Sequence, residues 1–286
     1  MTFLKIFVLA VIQGAAELLP VSSSAHVIIA EKLMGLDPTT PEMTLLLVML
    51  HTGTMFAVIF YFRKSWKKSF FASRKVLADS VKLIAVATIF TGITGIFLKT
   101  LIEKIAFRDA PHAEIELLFG NLGLIAAALA AVGVLIVYSG LRGNRSGKYG
   151  ALGLTDSVTI GGIQGLCLPF RGFSRSGATI SVGLLLGVAR TRAEEFSFAL
   201  AVVLTPPVIA REVIRLLKTQ SAAAMSDATL ANLFVPGLTG MALSFVSGIL
   251  ALRWLSAWLE RGRWQLFGFY CLFMSAVVFM LYSQGF

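Results

Sequence analysis

Residues 13–26 read QGAAELLPVSSSAH and interrupt an otherwise oily N-terminus. Within fourteen positions stand a carboxylate (Glu17), a proline (Pro20), three serines (Ser22, Ser23, Ser24) and a histidine (His26). The apolar region they divide, residues 3–34, is long enough to cross a bilayer only if unbroken. Each half is about 12–16 residues, short of the roughly 20 that a spanning helix needs. A short apolar helix, a polar break and a second short helix predict a re-entrant helix hairpin. Non-helical backbone is tolerated at membrane depth only where protein buries it or a watery cavity meets it.

A second stretch is built the same way. IQGLCLPFRGFSRSGAT, from Ile163, lies within residues 152–188 and repeats the order of the first: Ile-Gln-Gly, a proline, then serines. Three apolar segments follow each hairpin, at about 43–62, 81–98 and 117–141 and at about 196–217, 231–252 and 265–284. Three is odd, so the second half enters the membrane upside down relative to the first. Broken helices in corresponding places are the mark of an inverted-topology repeat whose sites meet near the midplane. The expectation is an all-α polytopic membrane protein, one integral domain over residues 1–286. Its halves, 1–141 and 152–286, each comprise a re-entrant hairpin and three transmembrane helices.

Composition agrees. The chain is 57% hydrophobic and 14% charged, against about 25% charged in soluble proteins, and its mean hydropathy is +0.83. Cys167 and Cys271 both sit in apolar segments and suggest neither a disulfide framework nor a metal cluster. Residues 1–25 make a poor signal peptide, with Lys5 alone as the charged region and SSSAH as an unconvincing cleavage site. The net charge of +10 fits basic cytoplasmic loops and not nucleic acid. With the loop at 63–82 inside, Arg63, Lys64, Lys67, Lys68, Arg74, Lys75 and Lys82 are cytoplasmic. Arg142, Arg145, Lys148, Arg190, Arg192, Arg253, Arg261 and Arg263 join them. The opposite face receives fewer: Lys5, Lys32, Lys99, Lys104, Arg108, Arg211, Arg215 and Lys218. Both termini then face out. The first hairpin dips in from outside and the second from the cytoplasm.

An ionisable side chain at membrane depth is a functional hypothesis by default. Glu17 is one. Ser22, Ser23 and Ser24 follow Pro20 and start the second short helix, where free N–H groups and hydroxyls suit an anion. His26 shares a helical face with Ser22 and Ser23. In the second hairpin Gly172 and Gly177 permit tight turning or close approach. Ser174, Ser176 and Thr179 offer hydroxyls, and the Arg175 fork suits phosphate oxygens. A plain Glu17–Arg175 ion pair would account for both charges structurally. Together the two hairpins would bind and attack a phosphate group whose hydrophobic tail stays in lipid.

QGAAELLPVSSSAH resembles the (Glu/Gln)-x-x-x-Glu motif and Pro-Val-Ser-Ser-x-x-His segment of the bacterial undecaprenyl-diphosphate phosphatases, the bacitracin-resistance membrane family. GFSRSGATIS resembles their Pro-Gly-x-Ser-Arg-Ser-x-x-Thr motif, and LHTGTMFAVIFYF, ending at Phe62, resembles the span after their first motif. The resemblance runs over nearly the whole chain. It implies hydrolysis of undecaprenyl diphosphate to undecaprenyl phosphate and phosphate, recycling the lipid carrier for peptidoglycan. Bacitracin resistance would follow from competition for the diphosphate lipid. It implies a site open to the periplasmic side of the bacterial inner membrane and a divalent cation, Mg2+ or Ca2+, held by Glu17. Carried over by position, Ser23 is the nucleophile, His26 the acid or base and Arg175 the phosphate-binding arginine. Gln13, Ser22, Ser24, Gly172, Ser174, Ser176, Gly177 and Thr179 would line the diphosphate pocket. The partners expected are the polyprenyl diphosphate and membrane lipids, with a homodimer among the assemblies to expect.

Two positions depart from the pattern. Gln13 stands at the first acidic position and cannot act as a base, so Glu17 carries more of that role. Arg171-Gly172 replaces Pro-Gly, and Arg171 either adds a phosphate contact or reaches the cytoplasmic surface. The base for Ser23 is His26 or Glu17, and direct attack by water activated by Glu17 is a variant. A transporter of polyprenyl phosphate or another phosphate-bearing solute would share the architecture but has no evident need of Glu17, Ser23 and His26. Lipid phosphatases with a histidine nucleophile are excluded, because His112 is the last histidine in the chain.

Overall fold

A computed structural model describes residues 2–37, 40–106, 119–142, 152–220 and 227–285. The described residues are all-helical. In chain order they form α1 (Phe3–Leu18), α2 (Ser23–Leu33), α3 (Pro41–Ser69), α4 (Arg74–Ala106), α5 (Leu122–Arg142), α6 (Leu154–Cys167), α7 (Arg175–Leu185), α8 (Arg190–Gln220), α9 (Asp227–Glu260) and α10 (Gln265–Ser283). Six of them are long and apolar enough to cross a membrane: Met43–Ser69, Arg74–Ile105, Leu122–Arg142, Arg190–Arg211, Phe234–Glu260 and Gln265–Ser283. These match the six segments that hydropathy predicts.

The helices run further than hydropathy alone suggests. The segment expected as a loop at 63–82 is mostly helical, and the chain turns only around Phe70–Ser73. Lys and Arg are good helix formers, so α3 and α4 continue after their apolar faces end. The third segment, expected from 117, starts its helix at Leu122 behind Asn121, whose Oδ1 accepts the Leu124 N–H at 3.1 Å. Residues 117 and 118 lie outside the described residues, as do Arg108, Arg145 and Lys148.

Two pairs of short helices, α1–α2 and α6–α7, stand where the broken segments were predicted. At the first break Leu19 is extended, Pro20 has no N–H to continue a helix, and Ser22 adopts φ 67°. At the second, Gly172 has φ 100°, and a Cβ there would sit 2.6 Å from the Ile125 carbonyl oxygen. Ser174 then caps α7, its hydroxyl accepting the Gly177 N–H at 3.2 Å.

The shared Ile-Gln-Gly has a packing cause in both pairs. α1 packs on α9, and α6 packs on α4. A Cβ on Gly14 would lie 2.6 Å from Ser247 Cβ and 2.7 Å from the Ser244 carbonyl oxygen. One on Gly165 would lie 2.6 Å from the Thr91 carbonyl oxygen. Each glycine lets a short helix sit directly on a long one. The main apolar core joins both breaks to the long helices through Leu18, Leu19, Val21, Ile136, Ala178, Ile180, Leu255 and Phe267. Away from the breaks, the buried carboxylates of Glu194 and Glu195 accept hydrogen bonds from the hydroxyls of Ser256, at 2.5 Å, and Ser65. These bonds tie α8 to α9 and α3.

Candidate active site

The two breaks meet. Glu17, in the last turn of α1, accepts from Arg175, the first residue of α7, with Oε1 2.9 Å from the guanidinium. Its other oxygen, Oε2, accepts the Ser23 hydroxyl at 2.5 Å and the Gln13 amide at 3.3 Å. Gln13 is one turn earlier on α1 and 1% exposed. Ser23 opens α2, directly after the positive-φ Ser22. A non-glycine residue in that conformation costs on the order of 1–3 kcal/mol and is held by its surroundings. Here the result is that α2 starts close enough for its first side chain to reach back over the break to Glu17.

The carboxylate is therefore oriented from both ends. Arg175 neutralises one oxygen, and the other faces a hydroxyl whose proton it is placed to accept. A nucleophile within hydrogen-bond reach of a base, with the base oriented by a third group, is the geometry of an activated hydroxyl. The guanidinium has five N–H donors in a fixed fork, which leaves further donors to face a phosphate. The N-termini of α2 and α7 both begin at this cluster, and each supplies backbone N–H groups that lack an intrahelical partner. Anion binding and nucleophilic attack are what this arrangement can do.

His26 is one turn into α2, and its bonds point elsewhere. Nδ1 lies 2.8 Å from the Ser22 carbonyl oxygen, and Nε2 lies 2.8 Å from the Tyr270 hydroxyl on α10. Between the two bases the sequence left open for Ser23, the observed bond is to Glu17. Ser22 and Ser24 share a hydroxyl contact at 3.3 Å, and Ser24 Oγ accepts the Gly172 N–H at 3.4 Å. They join α2 to the loop before α7.

The remaining residues of the second motif are buried and engaged within the protein. Ser174 caps α7. Ser176 donates to the Leu19 carbonyl oxygen at 3.4 Å. Gly177 packs so closely that a Cβ would meet Ile136 Cδ1 at 2.9 Å. Thr179 is bonded to Ser197 on α8, Oγ1 to Oγ 2.6 Å. All are fixtures of the α7 N-terminus that aim Arg175 at Glu17. Arg171 lies over the Phe119 ring, 4.6 Å from its centroid, with the Glu31 carboxyl as an electrostatic neighbour.

Two side chains at the site were not singled out from sequence. His51 on α3 brings Nε2 to 3.9 Å from Glu17 Oε2, while its Nδ1 donates to the Leu47 carbonyl oxygen at 2.9 Å. A histidine inside an apolar span is itself a signal, and it stands in the quoted LHTGTMFAVIFYF. Tyr270 carried no such signal, since tyrosines are common in spans.

Among the described residues no group of three or more His, Cys, Asp or Glu side chains is placed to hold a metal ion. The donor set at the site is one carboxylate, already paired with Arg175, beside a neutral amide and a hydroxyl. It does not make a cage for a resident ion. It fits Mg2+, which is commonly bound by one or two carboxylates with substrate phosphates and waters completing its shell.

Comparison with known proteins gives a consistent picture. The family profile "Bacitracin resistance protein BacA" matches residues 6–277. An Acinetobacter baylyi protein named Undecaprenyl-diphosphatase 2 is 57% identical over 282 residues, covering 98% of both chains. Undecaprenyl-diphosphatases of Thermodesulfovibrio yellowstonii and Idiomarina loihiensis are 32% and 31% identical. They cover 97% and 99% of this chain and 96% and 100% of their own.

Proposed function

We infer the function from one premise: the chain belongs to the bacitracin resistance protein BacA family. It is a multi-pass membrane enzyme, an undecaprenyl-diphosphatase. It hydrolyses undecaprenyl diphosphate to undecaprenyl phosphate and inorganic phosphate and so returns the lipid carrier to peptidoglycan synthesis. Bacitracin resistance follows from the family. The observation that carries the chemistry is the Ser23 hydroxyl at 2.5 Å from Glu17 Oε2, with Arg175 on Oε1.

The mechanism we propose begins with Ser23 Oγ attacking the terminal phosphorus as its proton passes to Glu17 Oε2. The bond from that phosphorus to the bridging oxygen breaks, and undecaprenyl phosphate leaves with the proton that Glu17 took, so the carboxylate is free again. Water then attacks the phosphoserine: Glu17 takes the water proton and returns it to Ser23 Oγ as the P–Oγ bond breaks, and phosphate leaves. Arg175 and the N-terminal N–H groups of α2 and α7 stabilise charge on the transferring phosphoryl oxygens, which is the main task of a phosphoryl-transfer site. Glu17 would hold a Mg2+ or Ca2+ ion that arrives with the diphosphate. When bound, it supplies further charge neutralisation. Gln13 orients Glu17, and Ser22, Ser24, Gly172, Ser174, Ser176, Gly177 and Thr179 shape the pocket around the phosphates.

The same reading includes an inverted repeat with α1–α2 and α6–α7 as re-entrant hairpins. It is supported by paired contacts: α1 on α9 has its counterpart in α6 on α4, while α3 on α8 and α5 on α10 map onto themselves. It also places the site toward the periplasm at the bacterial inner membrane, supported by the basic residues at the α3–α4 turn. A homodimer belongs to this reading as an assembly still to be measured.

Phosphate release from undecaprenyl diphosphate in detergent, with Mg2+ or Ca2+ and then EDTA, tests it. Folded Ser23→Ala, Glu17→Ala and Arg175→Ala should lose release that the wild type shows. Activity surviving in Ser23→Ala alone would make water the nucleophile. No release by a folded wild type would favour transport of the lipid over its cleavage.

A further inference from the structure

The hydrogen bonds around His26 determine how it handles a proton. The Ser22 carbonyl oxygen can only accept, so the 2.8 Å contact at Nδ1 requires an N–H there. A neutral imidazole then has its one lone pair on Nε2. That lone pair faces the Tyr270 hydroxyl at 2.8 Å, so the tyrosine donates. The rings are nearly parallel, 10° apart, with centroids at 5.7 Å. The Ser23 hydroxyl has meanwhile engaged Glu17.

α10 is fixed against this hairpin at a second point. Cys271, 0% exposed, donates its thiol to the Pro20 carbonyl oxygen at 3.3 Å. Consecutive residues of α10 therefore touch the break and the histidine that follows it. Tyr270 itself is 41% exposed. A tyrosine that merely anchors a helix at the membrane surface needs no partner 244 positions away.

We propose that Tyr270 is a positioning residue of the hydrolysis: it holds His26 with Nδ1 protonated and Nε2 directed along a single line to its hydroxyl. His26 in turn holds the Ser22 carbonyl through Nδ1, and with it the start of α2 where Ser23 stands. When His26 is neutral, Tyr270 donates to it. When His26 is protonated, Tyr270 accepts, and its own O–H turns toward its exposed side. This assignment rests on the reading of the site as a lipid diphosphatase.

A double-mutant cycle in phosphate release tests it, with wild type, Tyr270→Phe, His26→Gln and the double variant. Phe keeps the ring and its packing. Tyr270→Phe should lower kcat roughly ten- to hundred-fold, the scale of a misplaced group, with KM within about two-fold. In the His26→Gln background the same change should have no further effect, because residues acting as a unit are non-additive. Wild-type kcat in Tyr270→Phe, or an equal loss in both backgrounds, overturns the proposal. A second readout needs no substrate. In 15N-histidine spectra, the resonances missing from His26→Gln belong to His26. They should show the Nδ1–H tautomer, with Nε2 shifting in Tyr270→Phe, and an Nε2 resonance unmoved by that change overturns the contact. Failure of the wild type to release phosphate would count against the diphosphatase reading separately from this coupling.

Discussion

Ser23 Oγ lies 2.5 Å from Glu17 Oε2, although six positions and a helix break separate them. The pair exists because the chain does not continue as a helix: Pro20 and the positive φ of Ser22 fold α2 back over the end of α1. If Glu17 takes the Ser23 proton, Glu17→Gln should lower kcat about 10²–10⁴-fold, the usual range for a general base. Combined with Ser23→Ala it should cost little more than either alone. Steady-state phosphate release by the three variants measures this.

Arg175→Lys keeps the charge but removes the planar fork. One ammonium cannot serve Glu17 and a phosphate with the same geometry. Hydrolysis should fall roughly 10²-fold or more, while thermal unfolding changes less than in Arg175→Ala. The alanine variant leaves a mostly buried carboxylate without its counter-charge, and the lost pair should lower the unfolding temperature measurably.

In the mechanism we propose, the ion arrives with the substrate and is not resident. EDTA should therefore stop hydrolysis without lowering the unfolding temperature of the substrate-free enzyme, and added Mg2+ should restore it. A fall in unfolding temperature on chelation would point to a resident ion, by linkage.

Much of this was legible in the chain. The six apolar segments and the two interruptions follow from hydropathy and from Pro20, Pro169 and the serines. Glu17 and Arg175 were visible because charge at membrane depth needs a reason. The residue serving Ser23 was not legible, because helical spacing puts His26 on the same face as Ser23 and says nothing of where its ring nitrogens turn. Tyr270 was out of reach for a related cause: its partner is brought to it only by the packing of α10 on the first hairpin. The second motif read as a pocket lining. In the fold its hydroxyls are largely occupied in capping α7 and in bonds to Leu19 and Ser197.

Packing at the repeated glycines predicts stability effects. Gly14→Ala would place a methyl 2.6 Å from Ser247 Cβ, and Gly165→Ala one 2.6 Å from the Thr91 carbonyl oxygen. Overpacking of this kind costs about 1–3 kcal/mol. Each variant should unfold at lower temperature in detergent, followed by tryptophan fluorescence.

Glu31 offers a pH test outside the six spans. It is 4% exposed, and one carboxylate oxygen is buried without a hydrogen-bond partner. Burial pushes its pKa up to about 7, against a smaller opposing pull from Arg171. The folded state thus holds the proton more tightly than the unfolded chain. Its contribution is full below the ordinary glutamate range, declines as pH rises toward about 7, and is lost above that. Glu31→Gln should unfold at a higher temperature than wild type at pH 8, and the difference should shrink on acidification to pH 5. Thermal unfolding at the two pH values measures it.

The ion pair between Glu17 and Arg175 spans 158 positions, which has a consequence for biosynthesis. At translation rates of about 5–20 residues per second, the arginine leaves the ribosome roughly 8–30 s after the glutamate. Throughout that interval the nascent chain carries an acidic group whose counter-ion has not been made. Tyr270 arrives later still, 95 positions after Arg175. The site is thus completed by helices made long after its carboxylate, and a ribosome that stalls before α7 leaves a membrane-inserted chain without the arginine.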